Sequence, residues 1–108
     1  MPLNNAPFLG LTTAFQNVYV PPTGVVVVSI FSIICCNRAA TATDLTIALT
    51  NSENTILSHI SFTIPIPVGS SFVPISAPIV VKPGQKLRAL ASASGVMDVL
   101  ISCSEFLS

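Results

Sequence analysis

The apolar residues of this chain recur with a period of two, and no helical period of 3.6 residues persists anywhere along its 108 residues. A period of two sends alternate side chains to opposite faces of a β-strand. Turn signals interrupt the pattern about every 8 to 12 residues, as at 21–24 (Pro-Pro-Thr-Gly) and 82–85 (Lys-Pro-Gly-Gln). The sequence therefore predicts an all-β chain of about seven short strands.

The same alternation sets the bounds of the predicted strands. They are residues 13–20, 25–36, 44–51, 55–64, 86–93 and 96–106, with short edge strands around Phe72 and at 79–81. Residues 25–36 are apolar on both faces, which is typical of a central strand covered on both sides. In 55–64, one face is predicted to carry Ile56, Ile60, Phe62 and Ile64. Five prolines in 65–83 favour loops and short edge strands there.

These strands predict a single antiparallel β-sandwich over residues 13–108, either immunoglobulin-like or a small jelly roll. Residues 1–12 have no strand period and contain two prolines and a glycine, so we expect an extended N-terminal arm. The arm carries four apolar side chains that are costly to leave in water: Leu3, Phe8, Leu9 and Leu11. They are the candidate partner-binding residues. The alternative is a tail that folds back on its own domain.

Charged residues are scarce. They make up 7% of the chain, against about 25% in an average domain, and the net charge is zero. Four basic residues are too few for a nucleic-acid interface or a polybasic membrane patch. The longest apolar run has 12 residues, short of the ~18 that cross a bilayer, and no basic residue precedes it as in a signal peptide. A surface with so few charges favours association, and we expect a homo-oligomer, a dimer or a trimer.

The three cysteines, Cys35, Cys36 and Cys103, are an odd number and do not predict a disulfide framework. Cys35 and Cys36 are adjacent, so a strand would point them to opposite faces, and one of them could meet Cys103 if their strands pack together. We expect reduced, buried thiols. Only His59 could join them around zinc, and the spacing does not fit, so neither a metal nor a cofactor is expected.

No catalytic constellation is visible in the sequence. His59 lies near Ser58 and Ser61, but neither serine sits in a nucleophile elbow. Asp98 and Glu105 share a predicted strand at an odd spacing, which places them on opposite faces. We therefore do not expect an enzyme. A carbohydrate-binding module is also disfavoured, because the chain has no tryptophan and one tyrosine.

The strand pattern over about residues 14–106 resembles that of small β-sandwich virion proteins of tailed bacteriophages. Residues 18–24 read Val-Tyr-Val-Pro-Pro-Thr-Gly and lead into the apolar strand that ends at Cys36 and Asn37. Residues 87–93 read Leu-Arg-Ala-Leu-Ala-Ser-Ala, and Val-Met-Asp-Val at 96–99 is followed by Ser104 and Glu105. The doubled proline, the proline-rich stretch and Gln85, where such proteins often have Asp, depart from the pattern.

The resemblance implies a structural protein of the phage virion, made in the cytoplasm of the host bacterium. The apolar arm and the low charge favour a capsid cement or decoration protein that binds the major capsid protein or other virion proteins. The alternative is a neck, baseplate or tail-fibre component, including one that binds the host. Neither a nucleic acid nor a membrane is an expected partner.

Overall fold

The structure, a computed structural model, describes residues 3–69, 71–72 and 78–107. Within these ranges it contains nine β-strands and no helix: β1 (Leu3–Phe8), β2 (Gln16–Tyr19), β3 (Val25–Asn37), β4 (Thr43–Asn51), β5 (Ile56–Ile66), β6 (Ser71–Phe72), β7 (Ile79–Val81), β8 (Gln85–Ala91) and β9 (Met97–Leu107). The prediction of an all-β chain is confirmed. Residues 1–2, 70, 73–77 and 108, which belong to the predicted arm, the proline-rich stretch and the chain end, lie outside the described residues.

The strands form two antiparallel sheets that pack as a β-sandwich, as predicted. The five-stranded sheet has the order β1-β9-β3-β6, and β7 also pairs with β3. The four-stranded sheet has the order β2-β8-β4-β5. Apart from β4 and β5, which follow each other in the chain, neighbouring strands come from distant parts of the sequence. Strands β6 and β7 together occupy one strand position beside β3. This order is that of a jelly roll, one of the two sandwich types that the sequence allowed.

The core lies between the inner faces of the two sheets, where the alternating residues of β8 and β9 meet those of β3 and β4. Its side chains are almost fully buried, and they include Val28, Ile30, Ile33, Leu45, Ile47, Leu87, Ala89, Ala91, Met97, Val99 and Ile101. The alternation of residues 86–93 and 96–106 predicts that Leu87, Ala89, Ala91 and Ala93 share one face and that Met97, Val99, Ile101 and Cys103 share another. All of them are buried except Ala93, which follows the end of β8 and is partly buried. The alternation could be assigned from sequence because both strands are regular and have one face in the core.

Strand β3 lies in the middle of its sheet, between β9 and the β6/β7 position. Its inner face enters the core, but its outer face keeps Val26, Phe31 and Ile34 between 39% and 48% exposed. The ladder to β9 shifts register between Val25 and Val27 and between Ile30 and Ser32. The expectation of protein on both sides is therefore wrong for the single chain, because nothing described in the chain covers the outer face.

Strand β5 does not alternate as predicted. It is an edge strand, and its ladder to β4 shifts register three times within 11 residues. Thr63 adopts a positive φ of +51°, which is unusual for a β-branched residue. On its predicted apolar face, Ile60 and Ile64 are partly buried, whereas Ile56 and Phe62 are 40% and 66% exposed. Each shift is a β-bulge, and a bulge resets which face the following side chain takes.

The N-terminal segment folds back on its own domain. Strand β1 pairs with β9 from Leu3 opposite Ser104 to Phe8 opposite Val99. Leu11 is completely buried, and its backbone is held by hydrogen bonds from its N–H to the Met97 carbonyl and from the Gly95 N–H to its own carbonyl, both 2.8 Å. Strand β1 thus pairs with β9 across the boundary predicted between residues 12 and 13, and it forms one edge of the five-stranded sheet.

A candidate self-association surface

The structure divides the four candidate partner-binding residues between two environments. Leu3 and Leu9 are 74% and 81% exposed. Phe8 is half-buried and packs against the core, and Leu11 belongs to the core itself. For Leu3 and Phe8 this division follows from the alternation of β1, because Ala6 and Phe8 turn inward and the intervening positions turn outward. Leu3 and Leu9 are exposed on the surface, whereas Leu11 stabilises the core of its own domain.

The outer face of the five-stranded sheet contains an apolar groove of about 260 Å³. Its lining is Pro7, Phe8, Leu9, Ile34, Cys36, Asp98, Val99 and Leu100. The register explains this composition, since Pro7 of β1 and Ile34 of β3 both lie opposite Leu100 of β9. Three neighbouring strands thus place apolar side chains in one row across the sheet. We refer to this lining as the groove.

The one charged residue of the groove, Asp98, is already balanced. Arg38 donates hydrogen bonds from Nε to Oδ2 at 2.8 Å and from Nη2 to Oδ1 at 3.1 Å. The backbone N–H of Gly10 donates to Oδ1 at 2.9 Å. The hydrogen bonds to Asp98, and then its charge, raise the pKa of Arg38. Covering the groove would therefore leave no unpaired charge, which is the main electrostatic penalty of burying a polar surface.

A buried polar cluster holds β1 to the sandwich on the inner side of the same sheet. The hydroxyl of Tyr19 donates to Oε2 of Glu105 at 2.6 Å, and Nδ2 of Asn4 donates to the same oxygen at 3.2 Å. Burial, and then the hydrogen bond to Glu105, raise the pKa of Tyr19 well above its usual range. The arm is thus pinned near Asn4 on one face and presents Leu3 and Leu9 on the other.

All three cysteines are free. Cys35 and Cys103 are buried, as predicted, and burial raises the pKa of the Cys35 thiol to about 12. Burial also raises the pKa of Cys103. Cys36 faces the other way, as its position next to Cys35 required, and lines the groove partly exposed. The groove therefore carries its own accessible thiol.

The remaining side chains that could take part in catalysis or metal binding are dispersed. His59 lies on β5, where its ring contacts that of Phe62 edge-on, with centroids 4.8 Å apart. Asp98 is on the outer face of β9 and Glu105 is buried on the inner face, as their odd spacing predicted. Within the described ranges no three metal-ligating side chains cluster. The described part of the chain also has no helix long and apolar enough to span a membrane.

The sequence matches no known protein family, and no curated protein matches it. Its fold is similar to that of a chain from the disulfide-linked pili of Bacillus endospore appendages, with a TM-score of 0.59 and 14% identity over 99% of this chain and 88% of that one. It is also similar to part of a mutant VP2 protein of infectious bursal disease virus in T=1 particles. There the TM-score is 0.50 and the identity 10%, over 96% of this chain and 32% of that one. At such identities the similarity establishes the fold, a β-sandwich, and nothing finer.

The groove itself was not predicted. The sequence pointed to Phe8 and Leu9, but Ile34 and Cys36 lie on β3 and Leu100 lies on β9, and no local pattern reveals the relative register of these two strands. The available signal was the apolar character of residues 25–36 on both faces. It predicted protein on both sides of β3. The groove lies on the outer face of that sheet, which nothing described in the chain covers.

Proposed function

We propose that this chain is a repeating subunit of a structural assembly, a shell or a filament, and that the outer face of its five-stranded sheet binds other subunits. The observation that carries the proposal is the groove, which is apolar and whose single carboxylate is already paired. Covering a surface of this kind lowers the free energy, because apolar area leaves the water and no unpaired charge is desolvated. Two folds of the same class, in pili and in viral particles, support the proposal.

The rest of the surface favours the same function. Large apolar side chains remain exposed around the groove and on the neighbouring strands, namely Leu3, Leu9, Val26, Phe31, Ile34, Val80, Leu100 and Phe106. Burying one such side chain fully is worth about 1.5–3 kcal/mol, less the cost of association. With charged residues at 7%, little opposes contact between copies.

In its finer form the proposal is a capsid cement or decoration protein of a tailed bacteriophage, located in the virion and bound to the major capsid protein. The resemblance of the strand pattern supports this form, and so does a jelly-roll fold similar to part of a capsid-forming protein. Leu3 and Leu9 are the arm residues that would contact the partner. A neck, baseplate or tail-fibre position is the alternative.

Sedimentation velocity of the purified chain over a wide concentration range tests the proposed self-association. We expect species larger than the monomer, and we expect Leu100→Lys to shift them to monomer because a charge would enter the groove. Val20→Lys is the matched control, since Val20 is 51% exposed and lies just after β2, outside the groove. A chain that stays monomeric at every concentration would contradict the proposal.

The finer form is tested by the copy number of the protein in purified particles, measured by quantitative mass spectrometry. A copy number comparable with that of the major capsid protein is expected of a cement or decoration protein. A few copies per particle would instead place it in the neck, baseplate or tail. Absence from particles would contradict both positions.

A further inference from the structure

The groove is concave, and this restricts what can fill it. A two-fold axis through the groove would set one groove opposite another, and two hollows cannot fill each other. A protruding apolar side chain from another part of the partner's surface can fill it. Outside β1 and the residue that follows it, Phe62 is the most exposed large hydrophobic side chain of the described residues, at 66%.

Phe62 is held in its protruding position by the local backbone. It sits at the β5 bulge, where the register shifts between Leu45 and Ile47 of β4. The buried hydroxyl oxygen of Thr46 accepts a hydrogen bond from the Thr63 N–H at 3.0 Å, which stabilises the positive φ of Thr63. The ring of His59 contacts that of Phe62 edge-on. A side chain ordered in advance loses little entropy on binding.

Phe62 cannot occupy the groove of its own chain. It lies on β5, at one edge of the four-stranded sheet, whereas the groove is on the outer face of β1, β9 and β3 in the other sheet. Strands β1 and β2 contact each other, so β5 is at the far edge of the sandwich from β1. Any contact between Phe62 and the groove therefore joins two copies.

Size and charge fit this contact. A cavity of about 150 Å³ accommodates a benzene ring, so a groove of about 260 Å³ has room for the phenyl ring of Phe62. Strand β5 contains no Asp, Glu, Lys or Arg, and Asp98 in the groove is paired with Arg38. The three bulges of β5 also prevent regular edge-to-edge strand pairing, which leaves contact through side chains.

We infer that Phe62 of one copy binds in the groove of the next copy. The inference rests on the proposed function, since it names the contact through which the subunits associate. Phe62 and the groove lie at opposite edges of the sandwich, so no two-fold axis outside the molecule can exchange them. The interface is therefore heterologous, and repeating it generates a closed ring or an open filament rather than a two-fold dimer.

Phe62→Ser tests the contribution of the Phe62 side chain, and the labelling rate of Cys36 reports whether the groove is covered. In the wild-type chain we expect maleimide labelling of Cys36 to slow as concentration rises, because the neighbouring copy covers the thiol. In Phe62→Ser the labelling rate stays at its dilute value, and the dissociation constant rises about ten- to a hundredfold. Val20→Ser, which removes an exposed apolar side chain elsewhere, behaves as wild type.

Mixing two defective variants gives the sharper test. Phe62→Ser has an intact groove but lacks the phenyl ring, whereas Leu100→Lys has Phe62 but carries a charge in its groove. Each variant alone is therefore expected to be monomeric. Together they can form one contact, and a heterologous interface predicts a heterodimer that grows no further. Leu9→Lys, at a position 81% exposed and outside the strands, replaces Leu100→Lys if that variant does not fold.

The outcomes separate the inference from the proposed function. A wild-type chain that associates while Phe62→Ser associates equally well, or while Cys36 stays fully reactive, overturns the inference and leaves the self-association standing. Two variants that are monomeric alone and do not form a heterodimer also overturn it. A wild-type chain that never associates removes the proposed function itself.

Discussion

The hydroxyl of Tyr19 donates a 2.6 Å hydrogen bond to the carboxylate of Glu105, although the two residues are 86 positions apart in the chain. Tyr19 ends β2 in the four-stranded sheet, and Glu105 lies near the end of β9 in the five-stranded sheet. Asn4 of β1 donates to the same oxygen. One buried carboxylate thus joins the two sheets and fixes the N-terminal strand.

Tyr19→Phe is expected to destabilise the fold by about 1–3 kcal/mol, because it removes the shorter of the two hydrogen bonds that Oε2 of the buried Glu105 accepts. The ring stays in place, so packing is preserved. Urea unfolding followed by circular dichroism measures the change. Asn4→Ala, which removes only the longer 3.2 Å bond of an exposed residue, is expected to cost less. Equal stability of Tyr19→Phe and wild type would show that the hydrogen bond contributes nothing net.

Leu11 and Leu9 are expected to respond in opposite ways to alanine. Leu11→Ala creates a cavity in the core and is expected to cost about 2–5 kcal/mol of unfolding free energy. Leu9→Ala removes a side chain that is 81% exposed and should change stability by no more than about 0.5 kcal/mol. It should weaken association instead. Thermal unfolding and sedimentation velocity of both variants separate the two roles, and a large loss of stability in Leu9→Ala would contradict this assignment.

Most of the strands could be predicted because their signal is local. An alternating strand with one face in the core, such as β8, carries its register in its own sequence. Strand β1 could not be recognised in this way, because Pro7 interrupts its pattern and Gly10 follows soon after its end. Proline is tolerated on an edge strand, where no ladder partner needs its missing N–H, and β1 is such an edge.

The candidate site was less predictable than the fold, because it depends on how distant strands align. Ile34, Leu100 and Pro7 become neighbours only through the β3–β9 and β1–β9 registers. The protrusion of Phe62 likewise depends on bulges set by pairing with β4. The sequence could show that apolar side chains exceed what one core buries, but only the structure shows where they collect.

The buried thiol of Cys35 predicts a loss of stability at alkaline pH. Burial raises its pKa from 9.0 to about 12, so the folded state keeps a proton that the unfolded chain releases. Stability is therefore complete below about pH 9 and declines towards pH 12, by at most about 1.4 kcal/mol per pH unit for this group. Burial raises the pKa values of Cys103 and Tyr19 as well, which acts in the same direction.

Urea unfolding at several pH values between about 7 and 11 measures this decline. Cys35→Ala should flatten the alkaline slope, even though the lost volume lowers stability at every pH. Ile33→Val is the matched control, because it also removes buried volume but no titratable group, so its slope should equal that of wild type. A Cys35→Ala slope identical to wild type would show that the folded protein does not suppress ionisation of this thiol.

Gly10 and Gly84 provide a matched pair for the junction between β1 and the core. Both have a positive φ, +76° and +83°, so alanine at either position incurs the left-handed penalty of about 1–2 kcal/mol. A Cβ on Gly84 would meet no atom within 4 Å, whereas a Cβ on Gly10 would lie 3.3 Å from the Cα of Gly95. Those neighbours are backbone atoms and cannot rotate away.

Gly10→Ala is therefore expected to lower the unfolding free energy by more than Gly84→Ala does, in urea unfolding under the same conditions. The substitution would also disturb the Gly10 N–H that donates to Asp98, and with it the charge balance of the groove. Gly10→Ala should for that reason weaken association, while Gly84→Ala, in the turn between β7 and β8, should not. Equal effects of the two substitutions on both stability and association would mean that the chain around Gly10 and Gly95 relaxes freely, and that β1 is not rigidly joined to the rest of the groove.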